Sequence, residues 1–135
     1  MSIDKKLQEQ IDYWRKSGKE NLDAAQVLFT SKHYDSALFF GHLTLEKMLK
    51  GLTVIATKKP ALYIHDLEKL ALIANLEFDE DRAIYLRSIS DFNIAGRYKE
   101  IKFDFYKKCD KKYTEKHLKI IKELFLWLEK EYPKK

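Results

Sequence analysis

Glycine and proline are scarce in this chain, which has 4 glycines and 2 prolines among its 135 residues. Sheet proteins with many turns need more of them, because tight turns depend on the backbone angles that these two residues favour. The sequence therefore predicts an all-α protein built from long helices. A chain of this length buries one sizeable core, so residues 1–135 are expected to form a single domain, a compact up-down bundle of about five helices.

Apolar residues recur at spacings of three and four along most of the chain, which is the pattern of helices that bury one face. The predicted helices cover residues 5–30, 34–56, 65–75 and 79–98, and a last one follows a cap at Thr114. The break between the first two is so short that they should form an antiparallel hairpin. Residues 99–112 interrupt the pattern and are expected to be a Lys-rich loop.

The second predicted helix is apolar over a broad arc. Ala37, Leu45 and Leu52 form one stripe, and Leu38 widens it. Such a helix packs on more than one side, as at a bundle centre or a dimer interface. Gly41 lowers helix stability at its own position, so its presence predicts the close approach of another helix.

Composition excludes several classes of protein. The single cysteine rules out a disulfide framework, and the 4 scattered histidines predict no metal site. The glycines form neither a dinucleotide fingerprint nor a phosphate-binding loop, so no cofactor is expected. No stretch approaches the roughly 18 apolar residues of a membrane span. Residues 1–20 contain too many charges for a signal peptide, so the expected location is the cytoplasm.

The positive charge is concentrated near the C-terminal end. Residues 1–96 hold 13 basic and 14 acidic side chains, whereas residues 97–135 hold 13 basic and 7 acidic ones. This excess suggests an anionic partner, with nucleic acid or a nucleotide as the first candidate. The alternative is a solvated lysine surface that only keeps the protein soluble.

Three segments stand together in a distinctive order and spacing. They are ALFFGHLTLEKMLKGL at 37–52, HDLEKL at 65–70 and DFNIAGRY at 91–98. In this order they resemble the HEPN domain family, and the resemblance extends from about residue 22 to residue 128. The resemblance implies an all-α bundle, usually a homodimer, that associates with a nucleotide or RNA. It also implies a possible partner, a minimal nucleotidyltransferase, with which many members form a toxin–antitoxin pair.

Ribonuclease members of that family carry an arginine followed by a histidine four to six residues later. In this chain Ile101, Lys102 and Phe103 follow Arg97 at those distances. The departure from the motif predicts a binding protein without strong catalytic activity. Two alternatives remain open, namely a ribonuclease toxin acting through Arg97 with His65 and Glu46, and an interaction module without a nucleic-acid ligand.

Nine residues are candidates for ligand binding, and no residue is assigned a catalytic role. A guanidinium at Arg97 offers two parallel donors to a phosphate, although it is equally well placed as a structural partner of Glu46. The candidates are Arg97, Tyr98, Asn93, Glu46, His65, Lys99, Lys102, Lys107 and Lys108.

Each of these candidates also has a structural explanation. A carboxylate at Glu46 among apolar neighbours needs a partner, and an ion pair is the simplest one. Lys47 and Lys50 are interpreted as solvated or snorkelling helix residues. Asp66 is explained as a helix cap, which accounts for the segment that includes His65.

Residues 99–108 interleave lysines with aromatic rings, a combination that suits single-stranded nucleic acid. The alternative is that Ile101, Phe103 and Phe105 turn inward and only the lysines face water. Nearby lysines can favour the thiolate form of Cys109, but an inert thiol is the simpler expectation.

Overall fold

The structure is a computed structural model that describes residues 3–97 and 99–134, with the side chains of residues 94–100 outside the description. Its helices are α1 (Lys5–Thr30), α2 (Tyr34–Thr57), α3 (Leu67–Ile73), α4 (Glu80–Arg97), α5 (Lys99–Lys108) and α6 (Lys111–Glu131). No strand occurs in the described ranges. None of the described helices is both long enough and apolar enough to cross a membrane. The predicted all-α fold is confirmed.

Helices α1 and α2 form the predicted antiparallel hairpin. The side chain of Asp4 accepts a hydrogen bond from the Leu7 N–H and so begins α1. The chain then reverses through Lys32, whose φ is 66°. At the other end of α2, Lys58 adopts the left-handed conformation and its N–H donates to the Val54 carbonyl.

Helix α2 is the centre of the bundle, because α1, α3, α4 and α6 all pack against it. Its broad apolar arc is buried on several sides, as predicted. The expected close approach at Gly41 is also present, since a Cβ there would lie 2.6 Å from Ile121 Cδ1 on α6. A second close approach occurs at Gly51, which faces the buried Tyr132 ring. The Tyr132 hydroxyl donates a 2.6 Å hydrogen bond to the Met48 carbonyl.

The prediction of a loop at 99–112 is wrong, because most of this segment forms α5. Phe105 anchors α5 on the bundle, with its ring 5.2 Å from that of Phe92. The predicted cap of the last helix is also wrong. Asp110 caps α6 by accepting from the Tyr113 N–H, and Thr114 lies buried inside the helix. The described residues therefore form six helices, where about five are expected from the sequence.

Candidate functional site

A cluster of polar side chains lies inside the bundle beside the middle of α2. Glu46 and Lys50 are only 5% and 6% exposed, and one helical turn separates them. The Lys50 ammonium lies 3.2 Å from Glu46 Oε2, and His65 Nδ1 lies 2.9 Å from the other carboxylate oxygen. The predicted pairing of Glu46 is therefore present, with both a lysine and a histidine as partners.

His42 completes this cluster from the turn before Glu46. Its side chain is fully buried, and its Nε2 lies 3.7 Å from Glu46 Oε1. The same nitrogen lies 3.5 Å from the His65 backbone oxygen. These contacts hold the chain around His65 against α2.

Two further hydrogen bonds fix the position of His65 from its C-terminal side. The Asp66 side chain accepts from the Lys69 N–H, which confirms its predicted role as the cap of α3. The backbone N–H of Leu67, the residue after Asp66, donates to Ser90 Oγ on α4 at 2.9 Å. His65 thus lies on a segment that is tied to both α2 and α4.

The prediction that Lys50 is a solvated or snorkelling residue is wrong. Its side chain is buried against Glu46, and its ammonium lies 5.4 Å from the ring centroid of Trp14 and 5.7 Å from that of Tyr63, a residue that is itself 97% exposed. Cation–π contacts of this kind stabilise a lysine that has left water. The i, i+4 spacing between Glu46 and Lys50 was the available sequence signal, whereas nothing in the sequence pointed to Tyr63. Lys47, in contrast, is only half-buried and donates to Ser17 Oγ.

The contact between His65 and Glu46 constrains the tautomer of the imidazole ring. Opposite an ionised carboxylate, which only accepts hydrogen bonds, Nδ1 of His65 carries the hydrogen that it donates. In the neutral ring Nε2 then holds the lone pair, the tautomer that a carboxylate imposes on a histidine used for proton transfer. The same hydrogen bond also anchors the segment before α3 on α2. Its geometry is therefore compatible both with proton transfer by His65 and with a purely structural role.

A second candidate region is the surface of α5 and the start of α6. The side chains of Lys102, Lys107 and Lys108 are exposed. Phe103 is 60% exposed and Tyr106 is 61% exposed. The expectation that Ile101, Phe103 and Phe105 all turn inward is therefore wrong for the first two, since Ile101 and Phe103 are exposed and only Phe105 is half-buried against Phe92.

Lysines and rings on this surface contact one another. The Lys107 ammonium lies 4.4 Å from the Phe103 ring centroid, and Lys108 lies 5.5 Å from that of Tyr113. We define the α5 surface as the exposed side chains of Lys102, Phe103, Tyr106, Lys107 and Lys108. It offers positive charge and flat apolar faces side by side.

Four candidate binding residues belong neither to the cluster around Glu46 nor to the α5 surface. Asn93 is buried on α4. Tyr98 and the side chains of Arg97 and Lys99 lie outside the described residues. The predicted pairing of Arg97 with Glu46 therefore stays a prediction.

Thiol reactivity and metal binding are two other chemistries that the side chains of a protein can offer. Burial, followed by the nearby charge of Asp35, raises the pKa of Cys109 to about 12, so this thiol stays protonated near neutral pH, as expected for an inert cysteine. Among the side chains that the structure describes, no group of three or more histidine, cysteine, aspartate or glutamate residues is placed to hold a metal ion.

This helical architecture was compared with those of known proteins and families. No curated protein matches the chain. The crystal structure of TT1696 from Thermus thermophilus is similar with a TM-score of 0.75. It shares 20% sequence identity, and the match covers 91% of this chain and 98% of that one, so it supports the fold alone. The profile of the HEPN domain matches residues 11–131. The chain therefore belongs to the HEPN domain family.

Proposed function

We propose that this protein binds RNA or a nucleotide through the α5 surface and lacks strong catalytic activity. On this proposal Arg97, at the end of α4, contributes a phosphate contact next to the same surface. The observation that most strongly supports this proposal is the exposure of Phe103 and Tyr106 among lysines. Lysines alone would suit a solubilising surface, whereas two exposed aromatic rings beside them also offer flat faces on which unpaired bases can stack.

Single-stranded RNA is the ligand that this combination suits best. Lysine ammonium groups attract phosphates without regard to sequence. Unpaired bases expose their faces and stack on aromatic side chains, whereas the bases of a duplex are already stacked on each other. The lysines and rings on α5 supply both kinds of contact on one helix.

Removing the rings should weaken this binding. Each of Phe103→Ala and Tyr106→Ala should cost about 1–3 kcal/mol of binding free energy if the ring stacks on a base. Fluorescence anisotropy with a short labelled single-stranded RNA measures the effect. Val27→Ala on α1 removes an equally exposed apolar side chain and should leave the affinity unchanged. Parental affinity in both ring variants would contradict base stacking on the α5 surface, and no detectable binding of RNA to the parent protein would favour the interaction module.

The proposal includes a homodimer that works with a minimal nucleotidyltransferase as one half of a toxin–antitoxin pair. Membership of the HEPN family supports the homodimer, because members of the family are often dimeric, and the nucleotidyltransferase is the partner that the family resemblance implies. A gene for a small nucleotidyltransferase beside the gene for this chain would strengthen the proposed partnership with a nucleotidyltransferase. Light scattering at micromolar concentration should give about twice the chain mass of 16.1 kDa. A mass that stays at the monomer value would contradict the dimer.

A ribonuclease is the second candidate, and the hydrogen bond between His65 and Glu46 favours it. RNA cleavage needs a base to remove the 2′-hydroxyl proton while that oxygen attacks phosphorus, and an acid to protonate the leaving 5′-oxygen. In this candidate His65, oriented by Glu46, transfers a proton and Arg97 holds the phosphate. It remains second because no histidine follows Arg97 at the family spacing.

The isolated protein should therefore show negligible ribonuclease activity. The measurement is the integrity of a structured RNA after incubation with the protein in the presence of a metal chelator. Cleavage that disappears in both Arg97→Ala and His65→Ala, with the helical circular dichroism spectrum retained, would overturn this expectation and establish the second candidate.

A further inference from the structure

A cavity of about 320 Å³ lies where the end of α2, the loop after it and α3 meet. This volume falls at the lower end of the range of small-molecule sites, roughly 300–1,000 Å³. The cavity uses none of the residues proposed to bind RNA. Its walls consist of Thr53, Thr57, Lys59, Pro60, Leu62, Leu70 and Ile73.

The cavity is formed in advance by hydrogen bonds in its walls. The left-handed turn at Lys58 directs the chain away from α2, and the next backbone N–H, that of Lys59, donates to Thr57 Oγ1. The hydroxyls of Thr53 and Thr57 donate to carbonyls of their own helix, at 2.7 and 2.8 Å. Because these bonds hold the loop in place, a ligand would meet a shaped site and would not have to order one.

The walls have a clear division between apolar and charged groups. Leu62, Leu70 and Ile73 supply an apolar lining, while the two threonine hydroxyl protons are already used. Lys59 is exposed and is the charged residue among those that line the cavity, so its ammonium is the positive group available to a ligand there. Among the described residues that line the cavity, none is acidic. A fitting ligand therefore has an apolar body and one negative charge.

We propose that this cavity binds a small amphipathic carboxylate with a short acyl chain. The chain occupies the apolar lining, and the carboxylate lies at the rim beside the Lys59 ammonium. An apolar protein cavity of about 150 Å³ holds a benzene molecule. A cavity of about twice that volume suits a chain of roughly six to eight carbons. This inference goes beyond RNA binding and does not depend on it.

A chain-length series tests the proposal on the whole protein. Pentanoate, hexanoate, heptanoate and octanoate are titrated separately into isotope-labelled protein, and the backbone amide signals are followed by NMR. The signals of Thr53, Leu70 and Ile73 should shift together. The affinity should rise about fourfold per added methylene and then level off when the cavity is full. Shifts without chain-length dependence, or scattered over the surface, would overturn the proposal.

Substitutions at the rim test the carboxylate preference. Lys59→Gln should weaken hexanoate binding by up to about fivefold and leave the binding of 1-hexanol unchanged. Lys69→Gln, at a lysine outside the lining, should change neither. If 1-hexanol binds the parent as tightly as hexanoate does, the charged head group plays no part and the proposal fails.

A bulky side chain in the lining tests the location. Ile73→Trp should abolish binding because the indole fills the cavity, whereas Leu72→Trp at the neighbouring exposed position should retain it. Circular dichroism verifies that both variants fold, and the Lys59 comparison stands even if Ile73→Trp does not. Unchanged hexanoate affinity in folded Ile73→Trp would refute the cavity as the site.

Discussion

Replacing Glu46 with leucine should lower the free energy of unfolding by about 3–5 kcal/mol. Lys50 is 6% exposed, so this substitution leaves a buried ammonium without its carboxylate. It also removes the acceptor of the His65 hydrogen bond. Urea denaturation followed by circular dichroism measures the change.

Two comparisons separate the ion pair from the loss of a side chain. The double variant Glu46→Leu/Lys50→Met should recover much of the stability, because an apolar pair of similar volume avoids the desolvation of both charges. Glu68→Gln breaks the exposed ion pair with Arg87 and should barely move the urea midpoint, since water screens that contact. A single Glu46→Leu variant as stable as the parent would show that the buried pair contributes no net stability.

Reversing four lysines at the junction of α5 and α6 should weaken RNA binding on the order of a thousandfold at low salt. The variant changes Lys107, Lys108, Lys111 and Lys112 to glutamate. Residues 99–122 contain nine lysines and four acidic residues, so the substitutions convert the most basic part of the chain. The salt slope of the logarithm of the binding constant should fall by about 0.7 for each lost phosphate contact with single-stranded RNA.

The matched control reverses four exposed lysines on α1 instead. They are Lys5, Lys6, Lys16 and Lys19. The two variants have equal net charge. If RNA binds specifically to the α5 surface, only the α5–α6 variant should lose much affinity. If RNA is attracted only by the overall positive charge of the protein, both variants should lose similar affinity. Arg97→Ala should differ from both, with a larger effect per charge and a weaker salt dependence. If neither the α5–α6 variant nor Arg97→Ala loses affinity, the interaction module becomes the leading interpretation.

Sequence periodicity predicted the long helices well because their buried faces repeat over many turns. The predicted limits of α1, 5–30, are those of the structure. Helix α5 was missed because it spans only ten residues and buries little more than Phe105, so its apolar residues form no stripe. A segment that packs so sparsely carries almost no signal of helical periodicity.

The candidate site was less predictable for a different reason. The apolar neighbours of Glu46 indicated that it needs a partner, but His65 is 19 residues away in another segment. Their contact depends on the path of the loop after α2, which residue spacing does not encode. The contacts of Lys50 with Trp14 and Tyr63 likewise join residues from separate segments of the chain.

The sparse packing of α5 has a consequence for the proposed binding of RNA. Helix α5 rests chiefly on α4, whereas α2 is enclosed by four helices. Local opening costs least where few apolar contacts are lost, so α5 can detach while the rest of the bundle stays folded. A ligand on the α5 surface would then meet an element that adjusts its orientation, and RNAs of different shapes could be accommodated without any change in the core.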